Sequence, residues 1–156
     1  MPGSDILNVF PIGSNITSNG HLSISNIDIA ELATERGTPL YIFDENTIRT
    51  AAKRFNKAFS DRYSDVQVIY ACKAWSNVAI LQILGEEGLG FDVVSGEEIS
   101  TIEAAGLNLE KTFFHGNNKS RSELLQAVVA GVGRIVVDNS YELDLLEEVL
   151  QETNRT

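Results

Sequence analysis

Apolar and polar positions change period several times along the chain, and the changes lay out its elements. His21-Leu-Ser-Ile-Ser25 alternates, as a half-buried strand does. Residues 28–36 carry a helical pattern that Gly37 and Pro39 stop. Pro39-Leu-Tyr-Ile-Phe43 is a second strand candidate. Asp44 can cap a long helix to about Tyr63, with Ile48, Ala51, Ala52, Phe55 and Phe59 on one face. From residue 66 onward one unit recurs. Apolar, strand-like runs at 66–73, 90–94, 112–115 and 134–137 each precede a helical segment, at 78–87, 96–105, 120–130 and 141–151. Gly88, Gly106 and Gly131 sit just past three of those helices, where a left-handed residue is needed. Ser95-Gly-Glu-Glu98, Ser120-Arg-Ser-Glu123 and Asn139-Ser-Tyr-Glu142 each place a cap residue three before a glutamate, the spacing of a capping box. The first twenty residues, rich in Gly, Ser and Asn, have no clear period and read as an irregular arm.

Strand–helix alternation with apolar strands predicts a parallel sheet covered by helices. Each unit takes roughly 20 to 25 residues, about the size of a barrel unit. Four units make half of an eight-stranded barrel, and an open half leaves edge strands and apolar faces uncovered. The expectation is therefore an α/β chain: the N-terminal half of a (βα)8 TIM-type barrel behind a short β lead-in, and an N-terminal piece of a longer protein. Residues 1–38 form the arm and lead-in, which belong either to the barrel or to a second, β-rich domain; residues 39–156 form the half-barrel.

With 156 residues, 43% hydrophobic and 22% charged, the chain can bury a real core. A net charge of −10 argues against a nucleic-acid surface, which needs clustered Lys and Arg. The single Cys72 excludes an intramolecular disulfide and fits a reducing compartment. No apolar run approaches the ~20 residues that span a bilayer. The N-terminus has no basic segment leading into an apolar core, so no signal peptide is expected. A cytoplasmic protein with neither a nucleic-acid nor a membrane partner follows as the expectation.

Chemistry in parallel α/β folds gathers at the C-terminal ends of the strands. Here those ends supply Lys73, Asp92, Ser95, His115 with Asn117 and Asn118, and Asp138 with Asn139. Lys73 closes the run Val66-Gln-Val-Ile-Tyr-Ala-Cys-Lys73 and is expected to be buried. Desolvation favours a neutral, nucleophilic amine, able to form a Schiff base with an aldehyde such as pyridoxal phosphate. The plainer alternative is a lysine that marks the strand's exit into solvent. Asp92 either pairs with a cationic centre near Lys73 or is satisfied by backbone donors. Ser95 and Glu98 are a capping box, or a helix start that faces an anion. His115 is an acid, base or ring-stacking group, or simply packed. Gly116-Asn-Asn-Lys-Ser120 is a polar loop with donors for a phosphate or carboxylate, or an ordinary turn. Cys72 points to the opposite face from Lys73 and reads as structural.

Three segments resemble the N-terminal barrel of the diaminopimelate decarboxylases: Tyr70-Ala-Cys-Lys73-Ala, Gly88-Leu-Gly-Phe-Asp92-Val-Val-Ser95-Gly-Glu-Glu98 and Phe114-His-Gly-Asn-Asn-Lys-Ser120. The lead-in His21-Leu-Ser-Ile, Ile29-Ala-Glu-Leu-Ala and Gly37-Thr-Pro-Leu-Tyr-Ile-Phe-Asp44 is similar too, so the resemblance runs from about residue 20 to 151. It implies an alanine-racemase-like barrel in which Lys73 carries pyridoxal 5'-phosphate covalently, with Asp92, Glu98 and His115 in the cofactor site and no metal. It implies decarboxylation of meso-2,6-diaminopimelate to L-lysine by a full-length homodimeric lyase. Relatives acting on ornithine, arginine or carboxynorspermidine share the lysine motif, and a non-catalytic homologue is a further alternative. The chain departs from the pattern at Lys73-Ala-Trp-Ser-Asn77, where the family usually reads Lys-Ala-Asn-Pro; Trp75 is expected to reshape the rim. The family's later His-x-Gly-Ser segment, glycine-rich phosphate loop, ring-nitrogen glutamate and Cys-Glu-Ser-Gly-Asp-like segment do not occur in the chain. Residues 1–156 by themselves are therefore expected to be inactive.

Overall fold

The computed structural model describes residues 6–155, so the first five residues of the expected arm lie outside the described residues. The chain forms two compact units, Met1–Ala51 and Ala52–Thr156.

In the first unit, β1 (Asn15–Ile16), β2 (Leu22–Ile24) and β3 (Ile27–Asp28) form an antiparallel sheet in that order. Part of the supposed arm thus has a place in a sheet: Asn15 pairs with Ser23 and Ile16 with Leu22. Ser25 and Asn26 turn the chain between β2 and β3 with φ of 49° and 65°, the left-handed pair a tight hairpin requires. Helix α1 (Ile29–Arg36) starts where expected, since Asp28 accepts the N–H groups of Ala30 and Glu31 at 2.9 and 3.2 Å. Gly37 ends it with a φ of 85°.

Helix α2 (Glu45–Ser60) starts at Asp44, whose carboxylate accepts the Thr47 N–H at 2.8 Å and the hydroxyls of Thr47 and Ser25. It stops three residues short of Tyr63. Of its apolar face Ala52 is buried, while Phe55 and Phe59 are 60% and 50% exposed. The strand expected at residues 39–43 does not form. Neither sheet takes the segment up, and Pro39 brings no N–H to a ladder.

The second unit is the repeated pattern. It runs β4 (Ile69–Ala71), α3 (Val78–Glu86), β5 (Gly90–Val93), α4 (Gly96–Ala104), β6 (Thr112–Phe114), α5 (Arg121–Ala130), β7 (Arg134–Ile135) and α6 (Ser140–Thr153). The strands lie in chain order, all parallel. The edge strands β4 and β7 are shorter than the apolar runs that encode them, because each has one neighbour.

Alternation sorts the sheet's two faces. Val93, Phe114 and Ile135 share one register row on the helix-covered side. Val93 and Phe114 are fully buried, and Ile135 packs on Leu124, Val128 and Val149 of α5 and α6. Burying each such side chain contributes about 1.5–3 kcal/mol. Ala71, Asp92, Phe113 and Arg134 share another row, on the opposite face. There the Arg134 guanidinium lies 5.0 Å from the centre of the Phe113 ring. Gly133, just before β7, is pressed on the backbone of the turn that leads into β6: a Cβ there would sit 1.9 Å from the Glu110 carbonyl oxygen.

Of the three expected capping boxes only Ser120/Glu123 closes in both directions. Ser95 accepts the Glu98 N–H, but the Glu98 carboxylate passes over Ser95 and takes the Val94 N–H at 2.8 Å. Asn139 accepts the Glu142 N–H at 2.9 Å, while the Glu142 carboxylate turns inward to a buried ammonium. A cation in a dry site outcompetes a backbone amide for a carboxylate.

Candidate active site

The C-terminal ends of the four parallel strands make one rim, and every residue singled out from the sequence sits on or beside it. Lys73 is not in the strand. β4 ends at Ala71, and Cys72–Ala74 form a single 3-10 turn. The expected burial of Lys73 is corrected as well: it is exposed. Among the described residues it makes no hydrogen bond and no ion pair, so the amine is unengaged. Asn77 then caps α3 by accepting the Ile80 N–H at 2.9 Å. Trp75 is 38% exposed on the rim.

Cys72 points the other way and is fully buried. Burial first, then the charges of Glu98 and Asp92, push its thiol up to about 12. Such a thiol is neither nucleophile nor metal ligand at neutral pH, which agrees with a structural role.

Asp92 stands in β5 between Ala71 and Phe113. Its Oδ1 is buried and has no hydrogen-bond partner. The nearest cationic candidate is His115, one residue past β6, whose Nε2 lies 3.7 Å away. That separation suits an ion pair and is too long for a hydrogen bond. The His115 N–H donates to Val93 O at 2.8 Å, which continues the ladder and fixes the ring beside the carboxylate. A carboxylate oxygen without a donor costs about 1–3 kcal/mol, and a bound group bringing a cation or an N–H would relieve it. The free Lys73 amine and this orphaned oxygen, on one face of the sheet, fit a ligand that carries both an aldehyde and a cationic or N–H group.

Glu98 is half-buried and holds Val94, so it ties the end of β5 to the start of α4. Asn117, Asn118 and Asp138 are exposed, and Ser95 and Asn139 cap helices. The polar loop 116–120 differs from the expectation in one respect. Lys119 is not available to an anion. Its side chain is 1% exposed; the ammonium lies 2.8 Å from Glu142 Oε1 and donates to the carbonyls of Gly116 and Val136. Its approach to Oε1 is off the hydrogen-bond direction, so the contact is an ion pair. The sequence holds no local sign of this pairing, which spans 23 residues; Glu142 three residues past Asn139 looks like an ordinary capping glutamate.

The family model described as "Pyridoxal-dependent decarboxylase, pyridoxal binding domain" matches residues 45–155. The chain belongs to this family. Curated relatives include the diaminopimelate decarboxylases of Halalkalibacterium halodurans and Bacillus subtilis, 48% and 49% identical over 92% of this chain and 33% of their own length. A solved diaminopimelate decarboxylase of M. jannaschii in complex with L-lysine is 31% identical, with a TM-score of 0.82 over 92% of this chain and 34% of that one. The chain thus spans about a third of the length of these relatives. As a pyridoxal-dependent decarboxylase domain it has the expected α/β architecture, a partial barrel with four adjacent parallel strands.

Proposed function

We propose that the protein takes part in the pyridoxal 5'-phosphate-dependent decarboxylation of meso-2,6-diaminopimelate to L-lysine and carbon dioxide. The observation that carries this reading is the unengaged Lys73 amine on the strand-end rim, on the sheet face where Asp92 keeps a buried oxygen without a donor. The relatives named diaminopimelate decarboxylase, and the solved relative holding L-lysine, support the substrate.

In this reading Lys73 is the residue that holds the cofactor covalently through its amine. Asp92 lines the cofactor site, where its unpartnered Oδ1 would meet a cationic or N–H group of the bound ligand and favour its charged form. His115, anchored by its backbone to β5, keeps its ring beside Asp92 and packs on the flat face of the ligand. Glu98 fixes the segment between β5 and α4, and with it the wall of the site. When bound, the cofactor supplies the sink for the electron pair released as the bond to the departing carboxylate breaks. Lys73, once the substrate amine takes its place, is the rim group able to hold and return a proton. Residues 39–156 contribute to the barrel in this reading and 1–38 form its lead-in; the whole protein is a cytoplasmic homodimer that takes an amino acid as its small-molecule substrate.

The test is covalent trapping. A lysine amine condenses with the cofactor aldehyde and loses water, and borohydride adds hydride to leave a stable secondary amine. Peptide mass spectrometry should find the pyridoxyl group on Lys73, and Lys73→Ala should remove that adduct while the fold persists. Labelling spread evenly over exposed lysines, with no preference for Lys73, would overturn the reading. The 156-residue chain alone should release no carbon dioxide from diaminopimelate.

A further inference from the structure

The turn that presents Lys73 has little support of its own. It is one turn of 3-10 helix, a geometry with poorer hydrogen bonds than the α-helix. The residue at its N-cap position, Ala71, has no side chain with which to cap it. Buried Cys72 holds one side of it against the helices. Tyr70 precedes this turn in β4, in register with buried Phe91 and so on the same helix-covered side. Its hydroxyl reaches past the turn and donates to the backbone carbonyl of Trp75 at 3.1 Å. The ring comes before Lys73 in the chain and the carbonyl after it. Burial holds the phenol above its ordinary value, so the hydroxyl stays a donor at neutral pH and beyond.

We infer that Tyr70 is a positioning residue for Lys73: its hydroxyl pins the Trp75 carbonyl, closes the loop around the lysine and fixes where the amine emerges on the rim. The inference rests on reading Lys73 as the cofactor anchor. It assigns the tyrosine of the Tyr-Ala-Cys-Lys run a task of its own, carried out through the backbone. The Trp75 side chain can therefore differ without breaking the strap, because the bonded atom is a main-chain oxygen.

The experiment compares Tyr70→Phe, which removes only the hydroxyl, with wild type in the 156-residue chain. Pyridoxal phosphate is added below saturation, the adduct is reduced with borohydride, and labelling of Lys73 is measured against exposed Lys57. Labelling of Lys73 should fall about fivefold, the worth of one neutral hydrogen bond, with Lys57 unchanged. Binding of pyridoxine 5'-phosphate, which has an alcohol in place of the aldehyde, should be unaffected, since only the placement of the amine is lost. Tyr70→Leu, lacking ring and hydroxyl, should label Lys73 no more than Tyr70→Phe does. Labelling of Lys73 at the wild-type level in Tyr70→Phe overturns the inference. So does parallel loss of pyridoxine phosphate binding or of the wild-type circular dichroism spectrum, either of which would make the hydroxyl a prop of the fold. If wild type itself does not prefer Lys73 over Lys57, the anchor reading fails, and the strap loses its purpose with it.

Discussion

At the scale of single residues, Cys72 and Lys73 have opposite fates although they are neighbours. One is fully buried on the helix side and the other exposed on the rim. The sequence carries this division plainly, since adjacent residues near a strand end face opposite ways. It overstates the burial of Lys73, because enclosure depends on what lies above the sheet and not on the lysine's own strand. The Cys72 thiol, raised to about 12 against 9.0 for a free one, ties pH to stability. A group raised in the fold favours the folded state fully below the unfolded value and loses that contribution as pH climbs through the folded one. Stability should therefore be insensitive to this thiol at neutral pH and decline from about pH 9 upward, with Cys72→Ala flattening the decline in urea titrations. Consistently, iodoacetamide at pH 8 should leave Cys72 unmodified in the folded chain and alkylate it in denaturant. Rapid alkylation without denaturant would contradict the burial.

At the scale of elements, the βα units were legible because their signals are local: apolar runs, a polar cap three residues before a glutamate, and a glycine at the helix end. What stayed hidden is pairing between elements. Residues 39–43 have strand chemistry, yet a strand exists only where a ladder accepts it. Glu142 has cap spacing, yet its carboxylate goes to Lys119, 23 residues earlier. Glu123 shows the mixed case. It completes the predicted box with Ser120 and also accepts the Gly96 N–H at 3.1 Å, binding the starts of α4 and α5 together. The Lys119–Glu142 pair joins the loop after β6 to α6, and it is nearly dry. Removing one partner strands a buried charge, so Lys119→Met should cost about 3–5 kcal/mol. Replacing both, as Lys119→Met with Glu142→Leu, should recover most of that, since an apolar pair of similar size needs no desolvation. Thermal or urea unfolding of the three chains checks this, and a double variant no better than the single one would mean the pair holds the loop by geometry instead of charge.

At the scale of the whole molecule, the second unit carries its core on one side of the sheet only. The helix-covered face is packed, while the other carries Ala71, Asp92, Phe113 and Arg134, all at least partly exposed. The edges add to this: Ile69 of β4 is 37% exposed, and Val136 and Val137, just past β7, are each 38% exposed. An uncapped strand edge is a template for another chain. The same openness that frees the Lys73 amine should thus make the 156-residue chain associate with itself. Sedimentation velocity across a concentration series should show mass rising well beyond one chain, and Val137→Lys, which puts a charge at the β7 edge, should shift the rise to higher concentration. A net charge of −10 opposes association at low salt, so added salt should promote it by screening. A chain that stays monomeric at high salt and high concentration would mean the exposed edges are too short to pair. The open face would then be tolerable by itself, and the free lysine amine would need no neighbouring chain to persist in solution.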